Sequence, residues 1–264
     1  VVLILIISIV ILFLILQKIL FSMKQIRINY KNKRDNLKNI RGYNSFTEGM
    51  IALANKDFNK AIKESKKMQS YLKDRSLSLL LTSEVLKIEK KYDELKDVYE
   101  EMLKTKNMNL LGLRGLMEQN LRAQDFHHTL VYGEQLFGLN PKIDKLYETL
   151  LGVIGKTNNW PKLIQINEDA LKYKIINKEQ YSENKSIAYY EIAKIKRYSE
   201  INEAIDLISK ALKLRKNFIP YSKLYLQLLI ENNQLNIAKK YLKKIWQNSP
   251  NLILKEEIKH LADS

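Results

Sequence analysis

The chain has 264 residues, and its 45 Lys and Arg against 29 Asp and Glu give a formal net charge of +16. Cysteine is absent, which excludes disulfides, thiol catalysis and thiolate metal sites. Only four prolines and eight glycines interrupt a composition rich in Leu, Ile, Lys, Glu and Asn, so a mostly helical fold is expected.

In chain order the first element is an apolar run. "VVLILIISIVILFLIL" extends from Val1 to Leu16 with one serine and no charge, and "ILF" resumes after Gln17 and Lys18. As a helix, residues 1–21 span roughly 31 Å, about the hydrocarbon thickness of a bilayer. No small-residue cleavage site follows, so a transmembrane helix is expected rather than a signal peptide, with a buried core helix as the plain alternative. The chain opens on Val1 rather than Met, and further sequence is expected before it.

The second element, residues 22–41, is a basic juncture. Lys18, Lys24, Arg27, Lys31, Lys33, Arg34, Lys38 and Arg41 face a single acid, Asp35. Positive charge beside a membrane helix marks the cytoplasmic side, which places the rest of the chain in the cytoplasm. The same bases suit anionic lipid headgroups, at about 1 kcal/mol each near the surface. Their position next to the apolar run favours lipid over nucleic acid.

From residue 42 the chain repeats. "NKDFNKAI" (55–62), "EKKYDELK" (89–96), "AQDFHHTL" (123–130) and "TNNWPKLI" (157–164) follow one another at a step of 34. The series Ala61, Leu95, Thr129, Leu163, Ala204 and Ala238 keeps that step except for 41 between the fourth and fifth. Three residues before each stands a bulky apolar residue: Phe58, Tyr92, Phe126, Trp160, Ile201 and Leu235. A polar or turn-forming residue precedes those: Asp57, Lys91, Asp125, Asn159, Glu200 and Gln234. Such a period, with two helices per unit, resembles the tetratricopeptide repeat. Neither helix buries its apolar stripe alone, so units are expected to stack into a right-handed α-solenoid. The fold class expected is therefore all-α, with six repeats over 42–251 and a partial capping helix over 252–264. The longer step predicts a lengthened first helix near "NKEQYSENK" (177–185). The irregular helical bundle is the alternative.

No catalytic constellation emerges. His127 and His128 are adjacent, so on a helix they point about 100° apart and cannot clamp one metal; a single axial haem ligand is the remaining option, against a polar turn end. His260 lies near the end and tells little. Glycines inside predicted helices, in "GLRG" (112–115) and "GVIG" (152–155), each cost about 1 kcal/mol relative to alanine, which close helix crossing or room for a ligand would offset; close crossing is the expectation.

The first helix of each repeat lines the inner groove of such a solenoid. That register turns Lys87, Arg114, Arg122, Lys156, Arg197 and Lys223 toward the groove, with Phe46, Leu111, Leu121 and Tyr189 between them and Glu84, Glu118 and Glu148 diluting the charge. An acidic partner segment is the expected occupant, with Arg114 and Arg122 as anchors; a solvated lysine-rich surface is the competing account.

"FTEGMIALANKDFNKAIKESKKM" (46–68), "LLGLRGLMEQNLRAQDF" (110–126) and "TNNWPKLI", behind an apolar helix and a basic juncture, are similar to the HemY-type tetratricopeptide membrane proteins of proteobacteria. "LLGLRGL" is the most specific piece. The resemblance implies an inner-membrane protein linked to haem or porphyrin biosynthesis, organising pathway enzymes or handling tetrapyrrole intermediates. It also implies a further membrane helix before Val1 and a longer C-terminus. No glycine fingerprint for a dinucleotide supports an oxidase activity. The reading is a non-enzymatic scaffold without cofactor, its partners other proteins, possible porphyrin-pathway enzymes among them. Direct tetrapyrrole carriage and a lipopolysaccharide-regulating envelope adaptor are the alternatives.

Overall fold

The computed structural model describes the backbone of residues 2–248 and 250–262, and the side chains of residues 16–247 and 250–262. Among them every regular element is helical. The helices are α1 (Val2–Ala54), α2 (Phe58–Tyr71), α3 (Ser76–Glu89), α4 (Tyr92–Lys104), α5 (Asn109–Arg122), α6 (Phe126–Leu139) and α7 (Leu146–Thr157). After them come α8 (Trp160–Lys172), α9 (Lys178–Lys196), α10 (Ile201–Leu214), α11 (Ile219–Glu231), α12 (Leu235–Asn248), a 3-10 turn (Leu252–Leu254) and α13 (Lys255–Ala262).

α1 runs unbroken through what the sequence divides into apolar run, basic juncture and first repeat helix. The cause is local: residues 1–41 contain neither glycine nor proline, so nothing stops the helix. No helix among the described residues is long and apolar enough to cross a membrane. The span expected over 1–21 falls mainly on residues 1–15, whose side chains lie outside the described residues.

The chain divides into two units, residues 1–115 and 116–264. In the first, the end of α1 pairs with α2, and α3 with α4. Ala52, Ala61 and Val85 are buried together, with Leu53, Phe58 and Ile62 packed around them. Small residues let the helices approach: a Cβ on Gly49 would meet the Leu81 side chain. The Ser65 hydroxyl bonds both the Ser78 carbonyl (3.0 Å) and the Thr82 hydroxyl (2.7 Å), tying α2 to α3.

In the second unit, α6 packs on α7, α7 on α8, and α9 against both α8 and α10. α9 is 19 residues long, against 12 to 14 in its neighbours, and takes up the longer step in the repeat. Ala193, Ala204, Leu207, Ile208, Ala211, Tyr221, Leu224 and Leu228 form one core across α9, α10 and α11. Leu254 and Leu261 of the terminal elements close a second core with Leu226, Leu229, Ala238 and Ile245.

The repeat positions behave alike in both units. Ala61, Leu95, Thr129, Leu163, Ala204 and Ala238 are all buried. Each bulky residue three places earlier is the first residue of a helix. Asp57, Asp125 and Asn159 cap those helices by accepting from the third backbone N–H, at 3.0, 3.1 and 3.4 Å. Just before the cap the chain turns through a left-handed residue: Lys56, Lys90, Gln124, Asn158 and Asn233, with φ between 53° and 60°. The next N–H then reaches back five residues, as from Asp57 to the Ala52 carbonyl (2.8 Å) and from Gln234 to Leu229 (2.8 Å). The α9–α10 turn lacks the left-handed residue, and Glu200 N–H bonds the Lys196 carbonyl instead (2.8 Å).

Candidate interaction surface

Every residue expected to line the groove lies on, or at the end of, the first helix of a hairpin. Phe46 is half-buried on α1, Lys87 half-buried on α3, and Arg114 exposed on α5, all in the first unit. Arg122 ends α5, Lys156 is exposed on α7, Tyr189 half-buried on α9, Arg197 caps α9, and Lys223 is half-buried on α11, all in the second.

Fewer of these cations are open than the sequence suggests. Lys87 Nζ donates to Glu84 at 2.7 Å. Arg197 is gripped by Glu231, its Nε donating to Oε2 at 2.9 Å, and this contact raises the guanidinium pKa. The two residues stand 34 apart, at equivalent places in neighbouring repeats. Lys223 Nζ lies 3.9 Å from Glu257 of α13, a buried carboxylate that also accepts from Gln227 at 2.8 Å. Arg114 interacts within its own chain. Arg122 and Lys156 are exposed and form no ion pair among the described residues.

Beneath the cations of the second unit runs a polar lattice that composition does not reveal. Tyr147 OH donates to Asn167 Oδ1 (3.0 Å) and accepts from Asn184 Nδ2 (2.8 Å), while Asn167 Nδ2 donates to the Tyr181 carbonyl (2.8 Å). α7, α8 and α9 are thereby fixed to one another. Ser186 on α9 bonds Tyr221 on α11 (3.1 Å), and Tyr190 stacks on Tyr221 with ring centroids 4.9 Å apart. Burial pushes the phenols of Tyr147, Tyr221 and Tyr241 up. The first helices of this unit are therefore a stiff support for whatever their exposed faces meet. Lys185 adds an outer tie, reaching the Tyr181 hydroxyl at 2.6 Å and Glu168 at 3.0 Å.

Two glycine expectations separate. Gly112 and Gly115 sit where α5 crosses α4, against Tyr99 and Leu103. For Gly152 and Gly155 the expectation of close crossing fails: nothing lies within 4 Å of an added Cβ, because both are on the exposed face of α7. His128 Nδ1 pairs with the cap residue Asp125 (2.7 Å), so it belongs to the helix start, and His127 beside it is exposed. No cluster of three or more His, Asp or Glu side chains with metal-binding geometry occurs among the described residues.

The bases of the juncture, Lys18, Lys24, Arg27, Lys31, Lys33, Arg34, Lys38 and Arg41, are all exposed on α1. A cleft of about 480 Å3 in the second unit is lined by Lys213, Lys216 and Lys244 with Tyr225 and Tyr241.

Residues 1–87 match the family described as HemY protein N-terminus. No curated protein matches the chain. Among solved structures, the Naa15/Naa10 assembly bound to HypK-THB aligns over 90% of this chain and 35% of its own, with 16% identity and a TM-score of 0.54. This chain thus spans about a third of that protein's length. A tetratricopeptide repeat protein from Parabacteroides merdae aligns over 84% of this chain and 90% of its own, with 11% identity and a TM-score of 0.43. PilF of Pseudomonas aeruginosa aligns over 86% and 99%, with 13% identity and a TM-score of 0.40. Similarity to the HemY N-terminal family thus covers the first third of the chain, and the described residues form helical hairpins at the 34-residue step.

Proposed function

We propose that this chain, HemY-type over its first 87 residues, is a membrane-anchored scaffold that docks proteins of haem or porphyrin biosynthesis. The observation that carries the reading is the match over residues 1–87, joined to a chain of helical hairpins at a 34-residue step. Hairpin repeats present first helices side by side, which is a surface for a partner rather than a pocket for chemistry.

Residues 1–21 supply the anchor in this reading, and the repeats work in the cytoplasm. Anchoring raises the local concentration of whatever is docked. Anionic headgroups meet the bases nearest the span. The unbroken helix limits how many: at ~1.5 Å per residue, Arg27 stands ~9 Å beyond residue 21 and Lys31 ~15 Å, against a screening length of ~8 Å. Lys18 and Lys24 are the bases within reach.

An acidic partner segment docks on the second unit through Arg122 and Lys156, the two groove cations with no ion pair among the described residues. Crosslinking in the native membrane, followed by identification of the neighbours, is the test. Enrichment of porphyrin-pathway enzymes is expected, and their absence overturns the pathway assignment. Reversing Arg122 and Lys156 to Glu lowers recovery of those neighbours; unchanged recovery removes the two residues from the surface. Reporter fusions at the C-terminus test orientation, and activity of a periplasm-only reporter refutes the cytoplasmic placement.

A further inference from the structure

Because α1 is one continuous helix, residues 23–43 can be read in a single helical register. They divide into three heptads: MKQIRIN (23–29), YKNKRDN (30–36) and LKNIRGY (37–43). Position b is lysine in all three: Lys24, Lys31 and Lys38. Position e is arginine in all three: Arg27, Arg34 and Arg41. Positions a and d are Met23, Ile26, Tyr30, Lys33, Leu37 and Ile40, apolar but for Lys33. A strict seven-residue pattern on a helix of 3.6 residues per turn marks a left-handed coiled-coil seam.

The seam lies open. Met23, Ile26, Tyr30, Leu37 and Ile40 are 53, 64, 74, 49 and 48% exposed. The seam faces away from the hairpin, against which Gly42 and Asp35 of the same segment lie, beside Leu72 and Lys73. The buried residues there, Gly42, Ser45, Gly49 and Ala52, continue back through Asp35, which lies two places, or about 200°, from the seam residue Leu37.

The charges are one-sided. On a helical projection positions a and d centre near 330°, e stands near 40° and b near 100°. Arginine and lysine therefore fill one flank, and position g on the other carries Asn29, Asn36 and Tyr43, none of them charged. A helix lying in a bilayer surface carries bases along both edges of its apolar face, which this one does not. A second copy of the chain, parallel and in register, would set Lys33 against Lys33, and its other flank supplies no acid for the arginines.

We infer that residues 23–43 of α1 form one strand of a basic coiled coil, whose partner is an amphipathic helix carrying carboxylates along the flank that meets Arg27, Arg34 and Arg41 and an acid or amide opposite Lys33. The inference is independent of the proposed pathway. It concerns a different face from the repeat surface, and it gives a role to the bases that stand too far along the helix to reach lipid.

The probe is a fluorescent 21-residue peptide with Leu and Ile at a and d and Glu at e and g, titrated by anisotropy against the full chain in neutral detergent. Saturable binding is expected. Arg27→Glu, Arg34→Glu and Arg41→Glu together weaken it by at least about tenfold, and the same peptide with Lys for Glu does not bind. Ile26→Ser weakens it comparably with the charge unchanged, which a purely electrostatic contact would not show. Failure of the Glu peptide to bind, or equal binding of the Lys peptide, overturns the inference. So does displacement of the bound peptide by phosphatidylglycerol vesicles together with indifference to Ile26→Ser, which would assign the face to lipid. The absence of cysteine makes the remaining occupant easy to score: if Ile26→Cys oxidises rapidly to a disulfide dimer, the seam belongs to a second copy and the heterotypic partner is refuted.

Discussion

LLGLRG (110–115) and LLGVIG (150–155) read almost alike, but α5 and α7 are held in opposite ways. The strings begin 40 residues apart, six more than the repeat step. Six residues rotate a helix by about 600°, which leaves similar letters about 240° out of phase with the repeat. In α5 the two glycines are buried, and a Cβ on Gly112 would stand 2.8 Å from the Tyr99 carbonyl oxygen and 3.1 Å from the Leu103 backbone nitrogen. In α7 the glycines are exposed and the fixing is done from the other side, by Tyr147 reaching Asn167 and Asn184. One helix depends on a missing side chain, the other on a polar side chain that is present. The repeat register, not the local string, decides which.

The sharpest way to break this comparison is to remove the lattice under α7. Asn167 is fully buried, and Asn167→Ala removes the acceptor of the Tyr147 hydroxyl and a donor to the Tyr181 carbonyl, and leaves a cavity. A loss of about 3 kcal/mol is expected from two hydrogen bonds removed and the cavity left behind. The urea midpoint of the full chain in neutral detergent reads it, and a loss under about 1 kcal/mol would show that α7 is held by apolar contacts alone.

The same lattice predicts alkaline sensitivity. Burial raises the Tyr147 phenol above its ordinary value, so the folded chain holds that proton more tightly than the unfolded chain does. The associated stability is complete below about pH 10, the usual phenol value, and is lost as pH rises through the folded-state pKa. Tyr221 and Tyr241 act in the same direction. Thermal midpoints measured upward from pH 9 should fall, and Tyr147→Phe should fall less steeply than the parent. Equal slopes would remove Tyr147 as a contributor.

On the α5 side the expected effect is somewhat smaller. Gly112→Ala pushes a methyl into backbone atoms that cannot rotate away, at about 2 kcal/mol. Gly115→Ala meets the ring of Tyr99 instead, which can swing, so it should cost less. If Gly115→Ala proved the worse of the two, the crossing would be set by the ring rather than by the backbone.

The sequence makes the hairpin ladder legible because one constraint repeats: a bulky residue opening a helix and a buried residue three places on, as at Phe58 and Ala61 or Ile201 and Ala204. It leaves the turns opaque. Lys56, Lys90 and Gln124 adopt the left-handed conformation usually given to glycine, at about 1–2 kcal/mol each, and nothing in a lysine announces that. Packing of the hairpin overrides the local preference. The proposed interaction surface is half legible for a related reason. Register places Lys87, Arg197 and Lys223 on first helices, but their neutralising partners, Glu84, Glu231 and Glu257, come from the same or a distant turn. Two of the pairs leave a trace: Glu84 and Lys87 stand three apart on α3, and Arg197 and Glu231 one repeat apart. Asn167 and Asn184 carry no periodic signal at all, so the lattice under α7 is visible only in three dimensions.

The smallest expected effect is also the one of opposite sign. Gly152 and Gly155 occupy helix interior positions, face open space and have ordinary helical φ, so alanine at either adds no clash and narrows the unfolded ensemble. Each of Gly152→Ala and Gly155→Ala should therefore stabilise by up to about 1 kcal/mol, read as a rise in the urea midpoint with an unchanged slope. The two changes lie three residues apart on one face, and neither methyl has a neighbour to strain, so their effects should add. Destabilisation by either would mean that this face of α7 is covered in the working protein. The contrast with α5 would then collapse: both pairs of glycines would exist to let something come close, in one case α4 and in the other a partner.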